Sequence, residues 1–350
     1  MSTPADAAAT LESLGERGLV ALIRKRFPAS PNLLQVGIGD DAAVAVPARG
    51  ALEVLTTDGL VEGIHFDLAF SSFHDIGYKA LAVNVSDIAA MGGTPRLALL
   101  SLILPSRLTV ANIDAMLDGF EQMASEAGVT LAGGNITTSP GPLVVDVSLL
   151  GAVRPRKVLT RSGGRPGDLL YVTGAVGAAF AGLDWLRNSS QGRLEAPSDP
   201  ALSACVARYR RPEPRFRLGA ILGRTRAASA CMDSSDGLAD AVRQLAGASG
   251  TGAAINAALL PVPDCARQWF SSRGADPVSS SLIGGDDYEL LFSVPPRRRG
   301  RLRHAVRHAR GLPVARIGEL TASPDLVLIR AGKPEPLPEG FTHFKSSGRS

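Results

Sequence analysis

Residues 75–105 read DIGYKALAVNVSDIAAMGGTPRLALLSLILP. The stretch 75–91 has the composition of a helix, with Asp75 as its N-cap and Gly92-Gly93 as its stop. From Leu97 to Leu104 the chain is almost continuously apolar and is bounded by Pro95 and Pro105, which suits a buried strand. A helix delivered directly into a buried strand is the repeating unit of an α/β domain. Upstream, 12–27 predicts a short helix ending at Pro28, and Glu53 to Asp58 predicts a strand. Downstream, Val110, Ile113, Leu117, Phe120, Ala124 and Ala127 recur at helical spacing, giving an amphipathic helix over 109–127. Val145, Val147 and Leu149 alternate with Asp146 and Ser148, the pattern of a half-buried strand.

After Gly151 the texture changes: Arg154, Arg156, Lys157, Arg161 and Arg165 crowd a short stretch with Pro155 and Pro166. We set a domain junction there, giving domains 1–153 and 154–350. The second half predicts strands over 168–173, 253–258, 288–294, 313–318 and 325–330 and helices over 175–187 and 236–247. The Pro/Gly/Ser-rich segment 188–200 reads as a surface loop. No fixed-period repeat is present. Basic residues exceed acidic ones by only 37 − 33 = 4, too mild a balance to argue for nucleic acid. Cys205, Cys231 and Cys265 form no Cys-x-x-Cys pair and fit a reducing compartment better than a disulfide framework. With no signal-peptide pattern and no apolar run of membrane length, the expectation is a cytoplasmic protein that contacts no membrane.

Chemistry is signalled by acidic residues where packing would not choose them. Asp40-Asp41 follows Gly37-Ile38-Gly39 and precedes Ala42-Ala43-Val44. Asp58 ends a strand after the uncharged run Val54–Thr57, Asn84 and Asp87 share one face of an apolar helix, and Asp233 and Asp236 flank Ser234-Ser235. Singly, each has an ordinary structural explanation: a turn, a strand end, an N-cap or a satisfied amide. Together they form a set of hard oxygen ligands without His or Cys, which points to magnesium rather than zinc and to a polyphosphate cage. No P-loop is present. Gly174-Ala175-Val176-Gly177 lacks the third glycine of a dinucleotide loop and reads as close helix packing, whereas Gly133-Gly134-Asn135 suits a backbone approach to phosphate. His65 is the histidine nearest the acidic motifs. The run Arg297-Arg298-Arg299-Gly300-Arg301-Leu302-Arg303 continues into Ala305 and Val306 and reads as a solvated helix face.

Taken together these segments resemble the thiamine-monophosphate kinase family. The resemblance rests on Gly37–Val44, Thr56–Phe66, Lys79–Gly92, Thr160–Asp168, Tyr171–Gly174, Asp233–Leu238 and Gly284–Leu290, seven motifs in order over nearly the whole chain. It implies a two-domain fold like that of aminoimidazole ribonucleotide synthetase, with an N-terminal sheet that pairs across a homodimer and a C-terminal α/β domain. It implies ATP-dependent phosphorylation of thiamine monophosphate to thiamine diphosphate by direct transfer, without a covalent intermediate. By motif match, magnesium falls to Asp40, Asp41, Thr56, Thr57, Asp58, Asp87, Asp233 and Asp236, with Asp58 and Asp87 assisting catalysis. ATP falls to Gly134, Asn135, Arg161 and Ser235, and thiamine monophosphate to His65, Asp286 and Phe341.

Three departures from the family pattern stand out. Asn135 replaces a common Asp, Asp286 replaces a common Glu, and Pro338 stands where some members place a substrate-stacking Trp, a role that Phe341 or Phe344 takes here. Two other readings are a sister ATP-dependent enzyme with another acceptor and a catalytically impaired nucleotide-binding protein. Selenophosphate synthetase and the hydrogenase maturation protein would carry, respectively, an N-terminal reactive Cys and a C-terminal Cys; here Cys205 is the first cysteine and Ser350 the last residue.

Overall fold

The helix expected over 75–91 starts two residues earlier, and its cap is not Asp75. In the computed structural model, which describes residues 10–28, 30–189, 194–195, 197–309 and 311–340, Ser72 precedes the first turn. The Asp75 carboxylate accepts from both the backbone N–H and the hydroxyl of Ser72, and the Ser72 hydroxyl accepts from the Asp75 N–H at 3.1 Å. This reciprocal capping satisfies two otherwise orphaned amides, so Asp75 is the closing acid of the motif rather than the cap.

The chain divides into two compact units, the first mainly Met1–Ile88 and Gly93–Arg156, the second mainly Lys157–Gln191 and Ala196–Ser350 with Ala89–Gly92. In chain order the first runs α1 (Leu11–Arg26), β1 (Leu34–Val36), β2 (Val44–Ala45), β3 (Leu52–Val61), α2 (Phe73–Ala90), β4 (Thr94–Pro105), α3 (Val110–Ala127), β5 (Thr130–Ser139) and β6 (Val144–Val153). The main sheet has the order β3-β6-β4-β5. Its strands are antiparallel except β4 and β5, which are parallel and joined by the α3 crossover. Alternation divides the sheet into two sides. Leu100, Leu102, Leu104, Val145, Val147 and Leu149 are buried on the helix side, where the Ile88 side chain of α2 lies over Gly151. There α2 and α3 cross so closely that a Cβ at Gly77 would stand 1.8 Å from the Met116 carbonyl oxygen. The opposite side carries Leu99, Ser101, Asp146 and Ser148 and is more open, with Leu34 of the β1–β2 hairpin packed at one end on Leu97 and Ala132.

The second unit runs β7 (Leu169–Thr173), α4 (Ala178–Asn188), α5 (Pro200–Arg210), α6 (Phe216–Thr225), β8 (Ala230–Asp233), α7 (Leu238–Ser249), β9 (Gly252–Asn256), α8 (Asp264–Ser272), α9 (Pro277–Ile283), β10 (Leu290–Val294), α10 (Arg299–His308), β11 (Val314–Thr321), β12 (Leu326–Arg330) and β13 (Lys333–Pro336). Its sheet has the order β13-β12-β9-β11-β7-β10-β8 and is antiparallel except between β9 and β12. Neighbouring strand residues enter opposite cores. Met232, Leu291 and Ile255 pack with Val242 and Leu245 of α7, while Cys231, Leu290 and Phe292 pack with Leu218, Leu222 and Leu302. Helices therefore cover both faces, a three-layer α/β arrangement. The helix α10 buries Leu302 and Ala305 and leaves Arg299, Arg301 and Arg303 exposed, the division expected of the arginine run. Among the described residues no helix is long and apolar enough to cross a membrane.

Candidate active site

In the first unit, a cleft of about 1260 Å³ opens on the sheet side away from α2 and α3. Asp40, Asp41, Gly134 and Asn135, four of the residues singled out from sequence, line it together. Asp40 and Asp41 sit in a turn in which the Asp41 N–H donates to Asp40 Oδ1 at 2.9 Å. Gly133, Gly134 and Asn135 lie within β5 rather than in a loop, just past a register shift that skips Ala132. Such a bulge re-aims the following residues. Asp146 and Ser148, which sequence reading placed only as the polar stripe of a strand, line the same cleft. The Thr57 hydroxyl lies 3.1 Å from Ser148 Oγ and 3.5 Å from Asp146 Oδ1.

Strand alternation sends the other expected ligands of this unit to the helix side. Thr56 and Asp58 are half-buried there, and the Thr56 hydroxyl donates to the Asp87 carboxylate. Asn84, one turn before Asp87, is fully buried; its Nδ2 donates to the Ala80 carbonyl at 3.0 Å while its Oδ1 has no hydrogen-bond partner among the described residues. His65 is fixed by its loop: Nδ1 accepts from the Val61 N–H at 3.1 Å, and Lys79 Nζ donates to the His65 carbonyl at 3.3 Å.

In the second unit the expected residues gather around the end of β8. Asp233 is buried at the strand end, and Gly237, with φ of +96°, breaks the chain before α7 begins at Leu238. Asp236 therefore precedes the helix rather than opening it. The segment 284–289 is stitched to this turn: the Asp286 N–H donates to the Ser235 carbonyl at 2.8 Å, and the Ser234 N–H to the Glu289 carbonyl at 2.9 Å. Asp286 and Tyr288 both adopt left-handed backbone, with φ of +69° and +50°. Arg161 lies against α7, with Nη1 donating to Gln244 Oε1. Phe341 and Phe344 lie outside the described residues.

Two acids beside Asp286 are structural anchors that the sequence did not reveal. Glu289, wholly buried, is gripped in bidentate fashion by Arg215 (Nε to Oε2 at 2.7 Å) and also by Arg208 and the Thr173 hydroxyl. A Cβ at Gly174 would stand 1.9 Å from its Oε1, so that turn admits only glycine, whose φ there is +57°. Asp287 accepts from the N–H groups of Gly177 (2.6 Å) and Ala179 (2.9 Å), so the N-terminus of α4 is already occupied by a carboxylate. That is why Gly174–Gly177 is no phosphate loop. Burial raises the Asp287 carboxyl to about 7 although both amides oppose the shift. Raised in the fold, this group contributes stability below its unfolded value near 4 and loses it as pH rises through 7. The wild-type stability therefore falls relative to Asp287→Asn between pH 4 and 7, by up to about 4 kcal/mol, as read by urea unfolding at each pH.

Among the described residues no three His, Cys, Asp or Glu side chains converge closely enough to hold a metal ion on their own. The donors present are nonetheless carboxylate, hydroxyl and amide oxygens, and magnesium keeps few protein ligands and completes its shell with phosphate and water, so the set fits that ion.

Both domains, and the chain as a whole, have known relatives. Residues 39–153 match the AIR synthase related protein N-terminal domain and 165–330 the C-terminal domain. The chain is 38% identical over 336 residues to a thiamine-monophosphate kinase of Escherichia coli strain K12, covering 94% of this chain and 98% of the relative. The thiamine-monophosphate kinase of Stenotrophomonas maltophilia K279a superposes with a TM-score of 0.79 at 34% identity, over 89% of this chain and 95% of that one. The structure "AaThiL complexed with AMPPCP and TMP" superposes with a TM-score of 0.74 at 32% identity, over 95% and 98%. By its domains and by relatives aligned almost end to end, the chain belongs to the thiamine-monophosphate kinase family.

Proposed function

We propose that this chain transfers the terminal phosphoryl group of ATP to the phosphate of thiamine monophosphate, giving thiamine diphosphate and ADP. The observation that carries the reading is alignment over 95% of the chain with a relative solved with AMPPCP and TMP. The cleft bearing Asp41, Gly134 and Asn135 supports it, since its backbone and oxygen donors suit a polyphosphate. In this reading residues 1–153 act as the ATP- and magnesium-binding domain and 154–350 as the second domain, working in the cytoplasm. Magnesium, when bound, neutralises the repelling phosphates so that attacking and leaving oxygens can approach in line. Asp40, Asp41, Thr56, Thr57, Asp58, Asp87, Asp233 and Asp236 are the residues we assign to hold several such ions. Gly134, Asn135, Arg161 and Ser235 orient the nucleotide, and His65, Asp286 and Phe341 the acceptor. The test is chromatographic: thiamine diphosphate forms from ATP and thiamine monophosphate with magnesium, and neither with thiamine in its place nor with EDTA. Absence of product from folded, ATP-binding protein overturns the acceptor assignment.

We further propose that the chain works as a homodimer joined through the open side of the first unit's sheet, so that the cleft, which Leu99 also lines, is completed at the dimer interface. Leu55 on β3 and Leu99 on β4 project from that side and are 70% and 40% exposed. Large apolar side chains left bare on one sheet face favour a covering partner. Leu55→Asp is expected to shift the wild-type dimer mass to that of a monomer in light scattering after gel filtration.

A further inference from the structure

We propose that Asn84 is a positioning residue for the magnesium held by Asp58 and Asp87, its amide oxygen accepting a hydrogen bond from water on the ion. The inference deepens the phosphoryl-transfer reading and rests on its assignment of magnesium to those two acids. It starts from an orphaned atom on the helix side of the first unit's sheet. Asn84 is wholly buried, and its Nδ2 donates to the Ala80 carbonyl at 3.0 Å. That bond fixes which end of the amide is which, because a carbonyl oxygen can only accept. It leaves Oδ1 with no donor among the described residues. A buried acceptor without a donor costs free energy and is rare in a native fold.

The packing of α2 on the sheet sets where Asn84 faces. Just past the end of α2, a Cβ at Gly93 would lie 3.5 Å from Val54 Cγ2 of β3. The next inward residue of β3, Thr56, donates its hydroxyl to Asp87. Moving back along α2 therefore moves forward along β3. From Asp87 to Asn84 the helix retreats about 4.5 Å, and from Thr56 to Asp58 the strand advances about 6.6 Å, so Asn84 comes level with Asp58. At about 100° per residue, Asn84 projects between Asp87, which meets β3, and Ile88, which lies over Gly151 of β6. Val54 and Gly151 are themselves paired across the two strands. The amide thus looks onto the sheet beside Asp58. The polar groups placed there cannot complete Oδ1: ionised Asp58 and Asp87 carry acceptor oxygens only, and the Thr56 hydroxyl is already given to Asp87. Water on a divalent cation brings protons to a place where two carboxylates bring charge, and magnesium characteristically keeps several of its waters. A group that accepts from such a water orients the ion's shell without touching the ion. Asn does this without adding a third negative charge to the interior.

The test is titration of the full chain with Mn2+ in the presence of AMPPCP, followed by the electron paramagnetic resonance signal of free Mn2+, beside melting temperatures measured without metal. Asn84→Leu has a similar branched shape and removes the orphaned oxygen. It is expected to melt at or above the wild-type temperature without metal, yet to bind Mn2+ about tenfold or more weakly. Asn84→Asp keeps the oxygen and adds charge. It is expected to melt lower without metal and to bind Mn2+ at least as tightly as wild type. If Asn84→Leu does not fold, Asn84→Ala takes its place. The Asp variant separates loss of the oxygen from disturbed packing: Mn2+ binding as weak as in the Leu variant overturns the role. So does a Leu variant whose Mn2+ affinity stays within about twofold of wild type, the result for an amide that serves the core alone. A wild-type chain that takes up no Mn2+ overturns the magnesium assignment together with it. Thiamine monophosphate is absent from the titration, so a wrong acceptor shows only in the product assay.

Discussion

Asp58→Asn is expected to lower kcat for thiamine diphosphate formation roughly 10²- to 10³-fold, the scale seen when one charge-stabilising group is removed from a transition state. Asp58 lies on the side of β3 that faces the helices, two residues after Thr56, whose hydroxyl is held by Asp87. Asn has nearly the same volume and keeps one acceptor oxygen, so the half-buried site keeps its packing. What goes is the charge that attracts a divalent cation. The melting temperature is expected to move by no more than about 2 °C, since an Asp to Asn change that preserves volume at a half-buried site disturbs packing little. Glu53→Gln, at the exposed start of the same strand, is the control and is expected to retain wild-type kcat. A folded Asp58→Asn enzyme with full activity removes Asp58 from the reaction.

The second large effect is on stability. Glu289→Ala is expected to destabilise the second unit by about 3 kcal/mol and to lower its melting temperature by roughly 10 °C, measured by calorimetry. Glu289 is fully buried, and Arg208 and Arg215, both largely buried, converge on it. Deleting the carboxylate leaves two guanidinium groups desolvated against a void. Glu213, which pairs with Arg208 at 2.9 Å and Arg215 at 3.0 Å, remains and keeps the cost at the low end of the range for a broken buried pair. The same substitution frees the 284–289 segment that carries Asp286, so KM for thiamine monophosphate is expected to rise as well. Glu289→Gln, which retains the hydrogen-bond acceptor, recovers part of both losses.

These two residues also show what can be read from sequence. Asp58 was visible because a charge directly after the uncharged run Val54–Thr57 has no packing reason to be there, although β3 continues past it to Val61. Glu289 and Asp287 look like any acids beside a glycine pair, and their role arises from Arg208, Arg215, Gly177 and Ala179, between 74 and 110 residues away along the chain. The long, strongly patterned elements of the first unit were legible from periodicity, to within a few residues at their ends. In the second unit α5, α6, α8, α9, β8 and β13 were not: β8 spans only Ala230–Asp233, and α8 and α9 are short helices whose apolar pattern is interrupted by serines. The turn before α4 was read as helix from residue 175, because its small apolar residues fit a helix; Gly177, at φ of +80°, holds the start back to Ala178. Asp146 was seen as one polar tooth of an alternating strand, which is how a solvated face also looks. Only register distinguishes the two.

Register carries a cost of its own. Sliding β6 by one residue against β4 and β3 would exchange its two faces, presenting Val145 and Val147 to the cleft and driving Asp146 and Ser148 into the helix-packed layer. The apolar residues that β6 buries against the helices hold the strand in phase, and in doing so they set the chemistry of the side they never touch. A substitution that loosens Val145, Val147 or Leu149 can therefore yield a chain with intact secondary structure and a miswired cleft, a fault of folding fidelity that a circular dichroism spectrum would pass and a metal titration would catch.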